Sequence, residues 1–425
     1  MKRYFLFAAI LFIFIALSIV GYINLRPAIN GIAPLSLSGI KRTEIERGAY
    51  LARVGDCVAC HSKKGKADFS GGEPRLTPFG KITAGNITPD RQTGIGDWSD
   101  QDFINAVKYG RSKAGKFLYP AMPYPNFAQV SNEDILAIKA YLFTLPPVKA
   151  SLPKNELKFP FNIRFLVIGW NTLFFKKDGF VPDRQQTDEW NRGAYLVEGL
   201  GHCGMCHTPK NTFGADKLDK LYQGAVLQGW YAPEITSDSA NGVGAWKNEE
   251  VVQYLKTGNN AHAFATGPMG AAVSNSLQHV DEKDLQAIAT YLKSVPGSGA
   301  AGVKKAMAPD SPELQKGALI FSAHCSACHG VQGEGTKNIA PAFLKPSSID
   351  MRNLTNPVMA VLNGNRATAT EKHPTAPTMP SFRNTLSDED IAAVLNYIRN
   401  SWGNSAAPIG KDVVFEARKK IRGDG

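Results

Sequence analysis

The 425-residue sequence has few cysteines, modest charge and almost no long apolar run, and each shortage excludes something. With 43% hydrophobic and 20% charged residues its composition is ordinarily globular, which argues against a mostly disordered, collagen-like or polytopic membrane chain. The net charge of +11 divides as +8 over residues 1–150, −1 over 151–300 and +4 over 301–425. A nucleic-acid binder needs a concentrated basic stripe with a reading motif, and none is found, so nucleic acid is not an expected partner. At about 150 residues per domain the length predicts roughly three domains.

All six cysteines fall in three copies of one pattern: Cys57-Val58-Ala59-Cys60-His61, Cys203-Gly204-Met205-Cys206-His207 and Cys325-Ser326-Ala327-Cys328-His329. Two thiols three residues apart share one turn, where they can add to the two vinyl groups of a haem while the following histidine faces its iron. A disulfide framework would not place a histidine after every pair. Structural zinc usually brings two pairs within about 15–20 residues, whereas these pairs are 146 and 122 residues apart. The pattern predicts three covalently bound haem c groups.

The surrounding sequence repeats too. Arg47-Gly48, Arg192-Gly193 and Lys316-Gly317 open three segments that read as opening helices. Asp134, Asp284 and Asp390 stand seven residues before Tyr141, Tyr291 and Tyr397 in apolar-periodic closing helices. A glycine on the first helix would let an aromatic of the last approach closely, so these are core residues rather than chemistry. Residues 86–90 and 234–238 begin a duplicated block, with steps of 8 to Trp98 and Trp246 and a further 12 to Gly110 and Gly258. The tryptophans read as packed core, with an indole N–H to a haem propionate as the alternative.

Each haem needs a sixth ligand. Met122, Met269 and Met379 lie 61, 62 and 50 residues after His61, His207 and His329, each beside a proline, and are expected on loops crossing the distal face. A core methionine is the bland alternative. His262 and His373 are rivals near the last two and read as surface histidines, while Met351 and Met359 compete in the third domain. Met205, Met307, His202 and His324 read as neighbours of the motifs only.

Residues 4–23 form an apolar run of 20 behind Lys2 and Arg3. At 1.5 Å per residue it spans about 30 Å, one bilayer core. No clean cleavage site follows Gly21, so an uncleaved anchor is favoured over a signal peptide, and in either case the haem domains are exported.

Three class I cytochrome c modules in tandem, with Thr77-Pro78-Phe79-Gly80, the Asn86–Asp90 block, Gly94-Ile95-Gly96-Asp97-Trp98 and Leu118-Tyr119-Pro120-Ala121-Met122-Pro123-Tyr124, resemble the tri-haem cytochrome c subunit of bacterial membrane-bound dehydrogenases. The resemblance covers residues 41–405. It implies electron transfer from a separate dehydrogenase catalytic subunit to ubiquinone, with the haem domains on the periplasmic side of the cytoplasmic membrane.

The resulting expectation is an all-α chain of three tandem class I cytochrome c domains with an N-terminal membrane helix, and no sheet. Its parts are an anchor or signal at 1–26, domains at 41–150, 188–300 and 310–405, a linker or docking segment at 151–187 and a basic tail at 406–425. Cofactor attachment is expected at Cys57, Cys60, Cys203, Cys206, Cys325 and Cys328. Iron ligation is expected at His61, Met122, His207, Met269, His329 and Met379. No catalytic residue is expected, and outer-sphere electron transfer is the mechanism. The alternatives are a cytochrome feeding a terminal oxidase or a multi-haem redox enzyme, which would need an open iron site beside an acid or base.

Overall fold

The computed structural model describes residues 42–227, 229–299, 307–344 and 353–423. Its helices are α1 (Arg42–Val54), α2 (Cys57–His61), α3 (Asp100–Tyr109), α4 (Tyr124–Phe127), α5 (Asn132–Phe143), α6 (Val167–Phe174), α7 (Asp188–Ala194), α8 (Gly204–His207), α9 (Asn248–Thr257), α10 (Gly267–Asn275), α11 (Glu282–Leu292), α12 (Pro312–His324), α13 (Ser326–His329), α14 (Thr355–Asn363), α15 (Asp388–Asn400) and α16 (Lys411–Gly423).

By contact these residues form two units. The first runs to Gln185 and adds Tyr195–His202 and Asn211–Ala215; the second has Gln186–Ala194, Cys203–Lys210 and Asp216 onward.

Each haem motif follows an opening helix that packs on a closing helix: α1 on α5 in the first unit, α7 on α11 and α12 on α15 in the second. The crossing is close because glycine lies at each one. A Cβ on Gly48 would stand 1.8 Å from the carbonyl oxygen of Ala137, one on Gly193 2.0 Å from that of Ala287, and one on Gly317 2.2 Å from that of Ala393. The nearest neighbour is helix backbone, and at Gly193 and Gly317 the expected aromatic follows, with Tyr291 Cβ at 2.8 Å and Tyr397 Cβ at 2.7 Å. Two of the three closing helices start at a serine cap: the Ser131 hydroxyl accepts the Asp134 N–H, and Ser387 and Asp390 form a reciprocal capping box, whereas Asp281 before α11 makes no side-chain cap bond.

The all-α expectation is corrected. β1 (Arg75–Thr77), β2 (Gly80–Ile82) and β3 (Glu156–Leu157) form a three-stranded antiparallel sheet, β4 (Ala225–Leu227) pairs with β5 (Trp230–Ala232), and β6 (Asn365–Arg366) with β7 (Thr378–Met379). Strands of two or three residues are too short to show a period-2 pattern, which is why the sequence hides them. The membrane helix is corrected as well. Residues 4–23 lie outside the described residues, and among the described residues no helix is long and apolar enough to cross a membrane. The longest of these helices have 13 residues, about 20 Å against a core of about 30 Å.

The expected linker or docking segment and the expected basic tail both contain regular structure. Residues 151–187 contribute β3 and α6, with Val167 and Ile168 packed against Phe117. In the tail, α16 docks on the third module: Val414 and Ile409 join a core with Val358, Leu362 and Ile391, and Arg418 Nε donates to Asp388 Oδ1 at 2.7 Å. The basic side chains disguise an amphipathic helix.

Candidate metal centres

Each motif histidine is held the same way. Nδ1 of His61 is 2.7 Å from the Gly85 carbonyl oxygen, Nδ1 of His207 is 2.6 Å from that of Pro233, and Nδ1 of His329 is 3.1 Å from that of Pro341. A carbonyl only accepts, so the contact requires Nδ1–H, and Nε2 is left as a lone-pair donor. Tying down the second nitrogen is how proteins fix the tautomer and ring angle of a metal-binding histidine. Burial lowers the pKa of all three, opposed in part by the carbonyl bond, so the rings are held neutral, as a ligand must be.

The acceptors were not foreseen from the sequence. Gly85 and Pro233 immediately precede the duplicated blocks at 86–90 and 234–238. Those blocks fold alike. Asp90 Oδ1 accepts the backbone N–H groups of Gln92 and Thr93, and Asp238 Oδ1 those of Ala240 and Asn241. Each loop then closes back through Ile95 N–H to the Thr88 carbonyl or Val243 N–H to that of Thr236. The repeat is therefore the brace behind the histidine. In the third module the acceptor lies 12 residues after the histidine instead of 24 or 26, consistent with its lacking that block.

The cysteines sit on the same short turns. Burial pushes the thiols of Cys57 and Cys203 up to about 12 and that of Cys325 to about 11 and raises Cys60, which favours the protonated form of these four. Among the described residues no cluster of three or more His, Cys, Asp or Glu could hold a metal ion by itself. A turn carrying two thiols and a neutral imidazole with Nε2 unengaged by its brace fits a covalent haem.

The three methionines are half-buried and occupy related places. Helices α3 and α9 end at left-handed Gly110 (φ 61°) and Gly258 (φ 80°), whose carbonyls accept from Leu118 N–H and Ala265 N–H; Met122 and Met269 follow these by four residues each. Met379 lies on β7 opposite Asn365, next to Gly364 (φ 71°) at the end of α14. Only Met122 is on a loop as expected, since Met269 lies in the first turn of α10 and Met379 on a strand. Met379 also packs against the cluster of Val361, Leu386 and Leu395.

Of the rival histidines, His262 has other partners for its ring. His262 stacks on Trp246 at 4.9 Å between centroids, with Nε2 3.1 Å from Glu250 Oε1, so it is half-buried rather than a surface residue. His373 donates its backbone N–H to Thr370 Oγ1 at 3.1 Å. His202 is more than a neighbour: half-buried, at φ 36°, it lies 5.8 Å from Phe127 within the first unit. Met359 lies in α14 and Met351 outside the described residues.

Comparison with known proteins agrees with this geometry. The cytochrome c family matches residues 45–146, 191–296 and 314–402. The chain is 40% identical over 381 residues to the gluconate 2-dehydrogenase cytochrome c subunit of Pantoea cypripedii, covering 85% of this chain and 86% of that one. It is 36% identical over 407 residues to the fructose dehydrogenase cytochrome subunit of Gluconobacter japonicus, covering 89% and 83%. It is also 34% identical over 380 residues to the cytochrome c subunit of the quinone alcohol dehydrogenase of Gluconobacter oxydans, covering 85% and 79%.

Proposed function

This chain belongs to the cytochrome c family and carries three covalent haem c groups, and from that premise we propose that it relays electrons from a dehydrogenase catalytic subunit to ubiquinone. The work takes place on the periplasmic side of the cytoplasmic membrane. Haem supplies one-electron chemistry, cycling between ferric and ferrous states. What the chain's own residues do is hold and insulate. Cys57 with Cys60, Cys203 with Cys206 and Cys325 with Cys328 anchor the three groups, and His61, His207 and His329 present Nε2. Met122, Met269 and Met379 would supply a thioether to each iron. A Met/His pair raises the potential above that of a bis-histidine site, which suits a path ending at quinone.

The observation that carries this reading is the thrice-repeated His Nδ1–carbonyl brace. The relatives named as gluconate, fructose and alcohol dehydrogenase cytochrome subunits support a dehydrogenase partner. The three family matches at 45–146, 191–296 and 314–402 support a reading of three domains at 41–150, 188–300 and 310–405. The test is purification in mild detergent with intact mass and haem staining: three attached haems and a co-purifying dehydrogenase subunit are expected. Fewer haems, or an oxidase core as the only partner, would overturn it.

A further inference from the structure

We propose that residues 158–177 form the surface by which this chain lies on an anionic bilayer, with Phe159, Phe165, Leu166 and Leu173 entering the boundary between headgroups and acyl chains. The proposal rests on the membrane location inferred above and gives it a point of contact.

The segment is held firmly from one side. Val167 and Ile168 are buried on Phe117, Asn171 Oδ1 accepts the Tyr124 hydroxyl at 2.6 Å, and Arg164 Nη1 donates to the Phe117 carbonyl at 2.5 Å with its guanidinium 4.7 Å from the Tyr119 ring. Trp170 Nε1 donates to the Phe213 carbonyl at 3.0 Å. The other side is apolar and bare: Phe159 is 79% exposed, Phe165 68% and Leu173 75%, with Phe161, Ile163 and Leu166 also exposed. Leu173 of α6 and Leu166, the residue just before that helix, are seven residues apart and lie away from the buried positions 167, 168 and 171. α6 carries apolar side chains on two opposite sides, and only the side of Val167 and Ile168 meets the described core.

Charge selects the occupant. From Leu157 to Lys177 there is no Asp or Glu, while Lys158, Arg164, Lys176 and Lys177 supply four cations. The three lysines are exposed beside the bare rings. The cores of protein interfaces are depleted in lysine, whereas a segment lying in the plane of a membrane combines Phe, Trp and Leu with Lys and Arg that meet anionic headgroups. A lipid surface thus fits better than a protein partner.

The full haem-loaded chain provides a local test, because its native cysteines are consumed by thioethers. Leu173→Cys and, separately, Phe165→Cys each introduce one free thiol, with haem absorbance reporting that the fold is kept. Vesicles of phosphatidylcholine with phosphatidylglycerol should slow labelling by a polar maleimide at least tenfold at both positions. Phosphatidylcholine alone should slow it far less, and a control thiol from Lys220→Cys should react at an unchanged rate.

If the chain co-sediments with vesicles while both thiols stay fully reactive, this surface is wrong and the membrane reading survives. If it co-sediments with no vesicle, both fail. Protection that appears only with the co-purified dehydrogenase, or that rises with chain concentration without lipid, assigns the face to a protein and overturns the proposal. Equal slowing at the control position overturns it too.

Discussion

Arg192 and Asp284 meet through two hydrogen bonds, Nε to Oδ1 at 2.9 Å and Nη2 to Oδ2 at 2.7 Å, one turn from the point where α7 and α11 touch at Gly193 and Ala287. Arg47 pairs with Asp134 and Lys316 with Asp390 at the equivalent crossings. The basic residue before each glycine and the acidic residue of each closing helix are therefore two halves of one clasp. The glycine sets how close the helices come, and the ion pair sets their register. In the first unit Asp134 Oδ2 also accepts the Tyr195 hydroxyl at 2.6 Å.

The clasp separates packing from charge. Gly193→Ala drives a methyl into backbone and should destabilise its module by about 2–3 kcal/mol. Arg192→Lys, which loses one prong of a half-exposed pair, should cost about 1 kcal/mol or less. Guanidinium unfolding followed at the Soret band gives both values, and the reverse order would show that charge rather than close approach holds the crossing.

In the third module the clasp is sensitive to acid. The Lys316 ammonium and the Ser387 hydroxyl hold the Asp390 carboxyl down at about 2, from an ordinary 3.8. A carboxyl whose folded pKa is depressed stabilises above its unfolded value and loses that contribution as pH falls toward the folded one. Stability of this module should therefore fall between about pH 4 and pH 2. Asp390→Asn should flatten that part of the profile, measured as the unfolding midpoint against pH.

Ligand replacement distinguishes the thioether from its rival. Met269→Ala should abolish one of three thioether–iron absorption bands and create one high-spin ferric site. His262→Ala should leave every band in place, because its ring is committed to Trp246 and Glu250. Loss of a band on replacing His262 would reverse the assignment.

The haem turns were legible because their chemistry depends on a five-residue spacing that survives any packing. The helix crossings were half legible: Gly193, Arg192 and Asp284 stood out, but that the first two serve one contact with the third depends on α7 and α11 being neighbours across 92 residues of chain. The carbonyls of Gly85, Pro233 and Pro341 were not legible, since every residue has one and only the fold aims it. Nor were β6 and β7, which turn Met379 from a loop residue into one held opposite Asn365. The region of α16 read only as a basic tail because Arg418 hides its role, pairing with Asp388 30 positions earlier.

The central claim is that electrons reach quinone through this chain. The direct measurement is quinone reduction by the co-purifying dehydrogenase, supplied with its substrate, with and without the haem-loaded chain. All three haems should be reduced by substrate and reoxidised by a ubiquinone analogue, and quinone reduction should collapse when the chain is omitted. Equal rates of quinone reduction without it would contradict the account.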